Sequence, residues 1–275
     1  MTRSASHRRG LHRYTLRASV LVGIAVAAGC SFLVDVDTLT GGGGGGGAGD
    51  AMGPPKDGDS SDSDRSSDSG SAGPVFVNIS TAMPVNAVNF DIDAPVGAQA
   101  DDLLIAVIYV DKAESKITFP AGWQVQDYFP LCGSAAVWAY RVILPTDERV
   151  YHFAATVASS LEALVLVAYR GVHKLAPLDG VAQRTSFGMT RIYTSPGIES
   201  RAPNEMLVML AINDGGENAT WVTPDGMIAR NNFGIISVFD EMRPTAGPTG
   251  PRSAIAPSGT YCGAADLLLL RPPTG

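Results

Sequence analysis

The sequence predicts an all-β protein, a two-sheet, jelly-roll-like β-sandwich of about eight strands that follows a signal peptide and a disordered linker. Three observations predict this architecture. Short apolar runs rich in β-branched and aromatic residues recur between Gly, Pro, Asn and Asp residues, as the strands of a sandwich do. No stretch keeps an amphipathic helical spacing for three turns. Much of the first quarter of the 275 residues is too polar and too rich in Gly to join a packed core.

Residues 1–29 have the composition of an export signal. Five arginines and no acidic residue precede an uncharged, mostly apolar run, 18–29. A basic head, a short apolar run and small residues before a cleavage point are the marks of a secretory signal peptide. Residues 18–29 would span about 18 Å as a helix, too little for a hydrocarbon core of about 30 Å. A permanent transmembrane helix is therefore the weaker interpretation.

The segment that ends the apolar run, Ala27-Ala28-Gly29-Cys30, resembles the lipobox of bacterial lipoproteins. That resemblance implies that Cys30 is lipidated, that the signal peptide is cut just before it, and that the lipid holds the protein on a membrane. Ala27 stands where the family usually has Leu. Ser31 follows the cysteine, which favours the outer membrane of the cell envelope. The alternative is an ordinary signal peptide and a secreted protein.

Residues 30–73 are predicted to be a disordered tether. Seven consecutive glycines, 41–47, are followed by the Ser- and Asp-rich stretch 57–73. Segments of this composition behave as extended, flexible coils. Calcium loops also use Asp, but they need a turning Gly at a fixed spacing that this stretch lacks.

Residues 74–275 are predicted to form the β-sandwich domain. Five apolar runs are the main strand candidates: Asp102–Val110, Ser134–Ile143, Ala163–Tyr169, Met206–Ile212 and Gly234–Phe239. Alternation places Trp138, Tyr140 and Val142 on one face of their strand and Arg141 on the other.

A weak internal repeat relates 101–171 to 204–272. The run that begins at Asp102 recurs from Glu205, and both Leu103/Leu207 and Pro120/Pro224 are 104 residues apart. Duplication of a four-strand unit would account for the repeat. The alternative is that the strands of any sandwich share such hydrophobic patterns.

The short motifs DDLLIAV, FPAGW, VWAYRV, YHFAAT, VAYRGV, NEMLVML and LLLLRP lie within residues 75–273. Together they resemble a domain that recurs in secreted and surface-attached bacterial and phage proteins. The resemblance implies a jelly-roll-like sandwich. It implies no defined activity, so no catalytic residue is carried over from it.

Chemical motifs are sparse in this domain. No Gly-x-Ser-x-Gly, Cys-x-x-Cys, phosphate-binding loop or dinucleotide fingerprint occurs. His152 and His173 are its two histidines, and Asp101-Asp102 and Asp240-Glu241 are its adjacent carboxylates at strand ends. We therefore predict no catalytic residue, no metal and no cofactor. The net charge of −7 argues against nucleic acid as a partner.

Four aromatic residues are the candidate ligand contacts: Trp123, Tyr128, Phe129 and Trp221. They belong to the segments 120–129 and 221–231, which would lie together if the halves are related by pseudo-symmetry. Aromatic rings at loop rims stack on sugars and anchor protein interfaces. The alternative is that these rings close the ends of the sandwich core.

Two cysteines, Cys132 and Cys262, remain once Cys30 is assigned to lipidation. Disulfides persist outside the cytoplasm, which favours a bond between them over two free thiols.

These features favour a lipid-anchored, non-enzymatic module that binds glycan or protein at the cell envelope. A carbohydrate-active hydrolase using paired carboxylates and a purely structural envelope protein are the alternatives.

Overall fold

The computed structural model describes residues 72–274, apart from 85, 159–161, 183–184, 216–219, 233 and 257–258. The predicted signal peptide, Cys30 and nearly all of the predicted tether lie outside the described residues. The part of the chain that is described contains no helix that could cross a membrane.

Eighteen strands occur within the described residues. The first eight are β1 Val75–Ala82, β2 Asn89–Asp93, β3 Leu103–Val110, β4 Ile117–Thr118, β5 Gln124–Pro130, β6 Ala135–Val142, β7 Val150–Ala155 and β8 Glu162–Arg170. The next five are β9 Leu178–Val181, β10 Thr185–Thr190, β11 Ile192–Ser195, β12 Glu199–Ser200 and β13 Glu205–Asn213. The last five are β14 Ile228–Asn231, β15 Ile236–Arg243, β16 Gly247–Pro248, β17 Arg252–Ile255 and β18 Tyr261–Leu270.

The strands divide into an N-terminal half, β1–β8, and a C-terminal half, β9–β18, with the same antiparallel plan. The large sheet of the N-terminal half has the order β1-β8-β3-β6-β5, and that of the C-terminal half has the order β10-β18-β13-β15-β14. Each half adds a corresponding small sheet, β2-β7-β4 in the first half and β11-β17 in the second, where a single bridge between Val222 and Ile255 takes the place of β4. In the second half β9 also pairs with β18 of the large sheet, and β12 and β16 form a further pair.

The sheets stack in four layers around three hydrophobic cores. The central core lies between the two large sheets and contains side chains of both halves, such as Ile105, Trp138 and Val208. The N-terminal outer core lies between the large and small sheets of that half, around Leu104 and Phe153. Its counterpart, the C-terminal outer core, is built in the same way from the second half. Both large sheets are thus covered on both faces.

Burial on both faces explains the most apolar runs of the sequence. Every residue of β3 and of β13 is buried, because alternate side chains enter the central core and an outer core. The predicted sharing of one face by Trp138, Tyr140 and Val142 is confirmed, since all three pack in the central core.

The prediction of an all-β sandwich is confirmed. The strands and sheets are more numerous than the predicted eight strands and two sheets: the two large sheets hold eleven strands, and three small sheets hold seven strands of two to six residues. These strands bury one face only, as the alternating burial of β2 and β7 shows, so they carry no continuous apolar run.

The predicted half-repeats, 101–171 and 204–272, fall in corresponding places of the two halves. The alignment of the run from Asp102 with the run from Glu205 is confirmed, whereas the pairing of Leu103 with Leu207 is wrong by one residue. Leu103 faces the central core, whereas Leu207 faces an outer core. The sheet registers instead match Leu103 with Met206 and Leu104 with Leu207. In a strand, a shift of one residue reverses every side chain.

Polar contacts join the halves within the central core. The Trp138 indole donates to Asp266 at 2.8 Å. The Tyr169 hydroxyl donates to Asp240 at 3.2 Å, and Arg230 donates to the same carboxylate oxygen at 2.8 Å. Burial and the Asp240 carboxylate raise the pKa of Tyr169. These directional contacts cross the interface and fix how the two large sheets register against each other.

A disulfide also joins the halves. Cys132 lies between β5 and β6, Cys262 lies in β18, and their Cα atoms are 5.7 Å apart. The bond closes a loop with a sequence separation of 130 residues. The two cysteines that the sequence prediction paired are therefore bonded in the structure.

Corresponding acidic residues begin the central strands β3 and β13, and they are neutralised differently. Asp102 accepts two bonds from the Arg170 guanidinium, each 2.9 Å long. The corresponding Glu205 is fully buried, and neither of its carboxyl oxygens has a hydrogen-bond partner among the described residues. Burial raises the pKa of Glu205, and the charge of Asp179, which Arg271 binds, raises it further. Both effects favour the protonated form of Glu205.

The raised pKa of Glu205 predicts that Glu205→Gln stabilises the protein at pH 8 by about 1 kcal/mol. Because folding raises this pKa, wild-type stability falls as the pH rises from the unfolded value of about 4.5 through the folded value. Gln is neutral at every pH and removes this loss. Urea unfolding at pH 4 and pH 8 measures the difference, which should vanish at pH 4. Asp102→Asn is the matched control and should destabilise at pH 8, because it breaks the pair with Arg170. Equal wild-type and Glu205→Gln stability at pH 8 would contradict the raised pKa.

Candidate ligand-binding groove

The outer face of the small sheet β2-β7-β4 is polar. Alternation in β2 sends Asn89, Asp91 and Asp93 outward and buries Phe90 and Ile92 in the N-terminal outer core. On β7, His152 points outward directly opposite Asp91, and Thr118 of β4 lies diagonally opposite, across the sheet. The hydrophobic pattern of two short strands thus gathers these polar groups on one exposed face.

Two adjoining cavities open along this face. One has a volume of about 340 Å³ and is lined by residues such as Asp91, Thr118 and Phe119. The other, of about 210 Å³, lies at the end of β6 and is lined by Arg141, Tyr151 and neighbouring residues. Pro120 and His152 belong to both linings. We call the two cavities together the groove, the first being its sheet cavity and the second its arginine cavity.

His152 stands at the junction of the two cavities between two carboxylates. Its Nδ1 is 2.7 Å from Asp91 Oδ1, and its Nε2 is 3.8 Å from Glu148 Oε2. The hydrogen bond to Asp91 and the charges of both carboxylates raise the pKa of this exposed imidazole. The side chain is therefore held in a fixed orientation in the middle of the groove.

Arg141 forms a wall of the arginine cavity. Asp147 accepts both of its bonds from the same guanidinium nitrogen, Nη2, at 2.6 and 2.5 Å, and Nη1 donates to the Ala121 carbonyl at 3.2 Å. The guanidinium also lies 5.5 Å from the Tyr151 ring and 5.9 Å from the Trp123 ring. These distances place it within cation–π range of both aromatic residues. Its charge is compensated and its position is fixed on several sides.

Three polar atoms of this cluster are buried without a hydrogen-bond partner among the described residues. They are Arg141 Nε, the Tyr151 hydroxyl oxygen and Trp123 Nε1. A buried polar group that makes no hydrogen bond costs about 1–3 kcal/mol. Burial also raises the pKa of Tyr151, so its hydroxyl stays protonated. A ligand that bonds these three groups would remove that cost.

The C-terminal half shows that the fold does not require this cluster. In both halves a Pro-x-Gly turn, with its Gly at a φ near +80° (+87° at Gly122, +79° at Gly226), lies over the end of a strand of the large sheet. Arg141 lies under Gly122, whereas the opposite charge, Glu241, lies under Gly226.

The sheet registers extend this comparison across the small sheets. Arg252 takes the place of Tyr151. The pair Thr194 and Ser253 takes the place of the pair Asp91 and His152, in that order. The second half therefore folds on the same plan with a different set of side chains.

The aromatic residues that were predicted to contact a ligand lie in separate parts of the structure. Trp123 is partly buried beside Phe119, Tyr151 and Phe153, where it supports the arginine cavity. Tyr128 lies on the edge strand β5 and is 36% exposed. The Phe129 side chain lies outside the described residues.

The prediction that Trp221 contacts a ligand is wrong. Its side chain is 2% exposed in the C-terminal outer core, and its Nε1 donates to the Gly234 carbonyl at 2.8 Å. The expectation that 120–129 and 221–231 lie together is also wrong, because Trp123 and Trp221 pack in different outer cores on either side of the central core. The halves are stacked through their large sheets, which places the corresponding turns on opposite outer layers.

The histidines and acidic residues that the sequence analysis considered lie in different parts of the structure. His152 lies in the groove, whereas His173 caps its own loop by accepting from the Ala176 amide at 3.0 Å. Asp102 and Asp240 are buried in ion pairs with arginines. Sequence reasoning missed Arg141, Asp147 and Tyr151. The one available signal was an arginine within an apolar strand, directly opposite the face that holds Trp138 and Tyr140.

The chain matches no protein-family model, no curated protein and no solved structure. The groove and the sequence features therefore carry the functional proposal.

Proposed function

We propose that this chain is a lipid-anchored cell-envelope protein whose β-sandwich binds glycan or protein through the groove, without turning over a substrate. The observation that carries the proposal is the asymmetry between the halves. A polar cluster with three unpaired donors occupies one half. The corresponding cavity of the other half, about 290 Å³ in volume, is lined by different residues, such as Asp225, Arg252 and Ser253. Strain or unpaired polar groups that the fold does not need favour a functional origin.

The engagement of the groove carboxylates favours binding over catalysis. Asp91 is bonded to His152, and Asp147 is bonded twice to Arg141. A glycosidase needs two carboxyl groups that face each other across the scissile bond, one of them free to donate a proton. Hydrolysis of a polysaccharide by the purified chain, abolished by Glu148→Gln, would establish the alternative of an enzyme.

The N-terminal sequence supports display at the envelope. The lipobox-like segment before Cys30 would supply a lipid anchor, and the predicted tether would allow the sandwich to stand about 35–40 Å from it as a statistical coil. A mobile attachment of this kind suits a module that searches for its ligand on a nearby surface. The membrane is thus the first proposed partner, and the outer membrane the proposed location.

Cys30→Ser is expected to release the protein from membranes and to abolish lipoprotein-type cleavage. The thiol is the acylated atom, and serine offers none. Membrane fractionation and the mass of the N-terminal peptide measure the two effects. Cys132→Ser is the control and should stay in the membrane fraction. An unchanged distribution and N-terminal mass for Cys30→Ser would leave a secreted protein as the better account.

Removing the Asp91–His152 pair is expected to weaken binding to isolated cell envelopes at least tenfold. The double variant Asp91→Ala/His152→Ala deletes the polar groups at the junction of the cavities while the buried face of the sheet is unchanged. The matched control is Thr194→Ala/Ser253→Ala, which deletes a bonded pair, 2.7 Å apart, at the corresponding place in the other half.

The amount of purified chain retained by a sedimented envelope preparation measures both variants. Equal retention of the groove variant and the wild type would refute the proposal, and so would an equal loss in both double variants.

A further inference from the structure

The arginine cavity is lined by hydrogen-bond donors that lack acceptors. Arg141 is 7% exposed and Tyr151 is 4% exposed, and both line the cavity of about 210 Å³. Arg141 Nε and the Tyr151 hydroxyl have no acceptor among the residues that the structure describes. A ligand that satisfies them must present oxygen acceptors, because an N–H group can only donate.

The charges around the cavity disfavour an anion as the source of those acceptors. Asp147 already compensates Arg141 through two short bonds. Glu148 and Asp91, which flank His152, and Asp93, farther along β2, add negative charge at the rim. A carboxylate, sulfate or phosphate would meet these like charges on entry, and the guanidinium that lines the cavity is already paired. The lining therefore favours neutral acceptors.

A ligand in the sheet cavity needs hydrogen-bond donors as well as acceptors. It offers the Asp91 carboxylate, the Asn89 amide and the Thr118 hydroxyl beside the apolar surfaces of Phe119 and Pro120. Carboxylates accept only, so a ligand that spans both cavities needs groups that donate in one and accept in the other. Hydroxyl groups do both. The apolar face of a sugar ring also fits against an aromatic or proline surface.

Peptide ligands fit this groove less well. Their recognition uses a free sheet edge, an apolar groove, an aromatic cradle for a polyproline helix, or an uncompensated arginine cluster. The groove is instead the face of a sheet, where polar groups lie beside Phe119 and Pro120 and the arginine is neutralised by Asp147.

We propose that the ligand of the groove is a neutral, hydroxyl-rich glycan, whose oxygens accept from Arg141 and Tyr151 and whose hydroxyls donate to Asp91. This inference rests on the proposed function. It adds the class of ligand, and it assigns the Tyr151 hydroxyl to recognition. The cavity volumes, about 340 and 210 Å³, are together in the range of ordinary small-ligand sites.

Calorimetric titration of the purified chain with defined hexasaccharides tests the class. The neutral probes are the hexamers of β-1,4-glucose, β-1,3-glucose, α-1,6-mannose and N-acetylglucosamine, and the anionic probes are the hexamers of galacturonate and of guluronate. At least one neutral hexamer is expected to bind with a Kd between micromolar and millimolar, and the anionic hexamers at least tenfold more weakly. Tighter binding of an anionic hexamer overturns the inference.

Tyr151→Phe tests the assigned hydroxyl. It should weaken neutral-glycan binding about fivefold to tenfold, which corresponds to one lost hydrogen bond, and should leave Tm unchanged or higher because the hydroxyl bonds nothing else in the described chain. Tyr169→Phe is the control. It loses a bond to Asp240 and should lower Tm without weakening binding. Unchanged glycan affinity of Tyr151→Phe overturns the role of the hydroxyl.

The two proposals fail in distinguishable ways. If no neutral hexamer binds while Asp91→Ala/His152→Ala still loses envelope retention, the glycan class is wrong and the groove remains the binding site. If neither effect is observed, both proposals are wrong.

Discussion

Replacing both Cys132 and Cys262 by alanine is expected to lower the free energy of unfolding by about 5 kcal/mol in the chain-entropy account. A cross-link restricts the unfolded chain more as its loop lengthens, and this loop spans 130 residues. For a domain of this size the loss corresponds to a fall in Tm of about 10–20 °C. The bond also joins the two halves, so its removal acts on the interface between the large sheets. Urea unfolding of the wild type and of the double variant measures the difference.

The control for the disulfide is the wild type under reducing conditions. Reduction should reproduce the loss in the wild type and leave the alanine variant unchanged. Stabilities that agree within about 1 kcal/mol, with and without the bond, would contradict the expected effect and would indicate that the central core alone holds the halves together.

Trp221→Ala is expected to destabilise the protein by about 3–5 kcal/mol and to leave ligand binding intact. The ring is almost fully buried in the C-terminal outer core against Tyr193, and its removal leaves a large cavity. The indole bond to the Gly234 carbonyl is lost as well. Thermal unfolding measures the first effect, and envelope retention below the lowered Tm measures the second.

Trp123→Ala is the matched comparison in the other half. Its ring is partly exposed, so the cost in stability should be smaller, but Arg141 loses one of its two aromatic neighbours and binding should weaken. If Trp221→Ala keeps the wild-type Tm, or if it is the variant that loses binding, the placement of the two tryptophans is wrong.

The large sheets could be predicted from the sequence because the hydrophobic pattern of each central strand is local. The central strands, such as β3 and β13, are long, β-branched and apolar on both faces, and no other element satisfies that pattern at that length. Their recurrence also exposed the internal repeat. Leu103 and Leu207 were misaligned by following the offset of 104 residues that relates Pro120 to Pro224, whereas matching the acidic residues that precede or begin the strands, Asp102 and Glu205, gives the observed register.

The four-layer arrangement could not be predicted, because it depends on which faces meet. The sequence pattern around an apolar residue such as Leu104 is the same whether its side chain faces the other half or the small sheet of its own half. The strands of the small sheets are short, and their inward residues, such as Phe90 and Ile92, are separated by exposed carboxylates. The burial of Trp221 follows from this packing and carries no local signal.

The groove could be predicted only in part. His152 was visible as one of two histidines in the domain, and Trp123 as an aromatic residue after a turn. The partnership of Arg141 with Asp147 and Tyr151 depends on three segments that meet only in the folded chain. Because both halves share one plan, the second half serves as an internal reference that separates what the fold needs from what the groove adds.

Photo-crosslinking in intact cells tests the central claim, that contact with the ligand occurs on the outer face of the N-terminal half. A benzophenone amino acid is placed at Thr118 in the sheet cavity and, in a second variant, at Val222, its exposed counterpart in the other half. Ultraviolet light should yield a covalent adduct of the Thr118 variant, carrying glycan detectable by periodate oxidation or a second protein detectable by mass, and none of the Val222 variant. Adducts at Val222 with none at Thr118 would contradict the account.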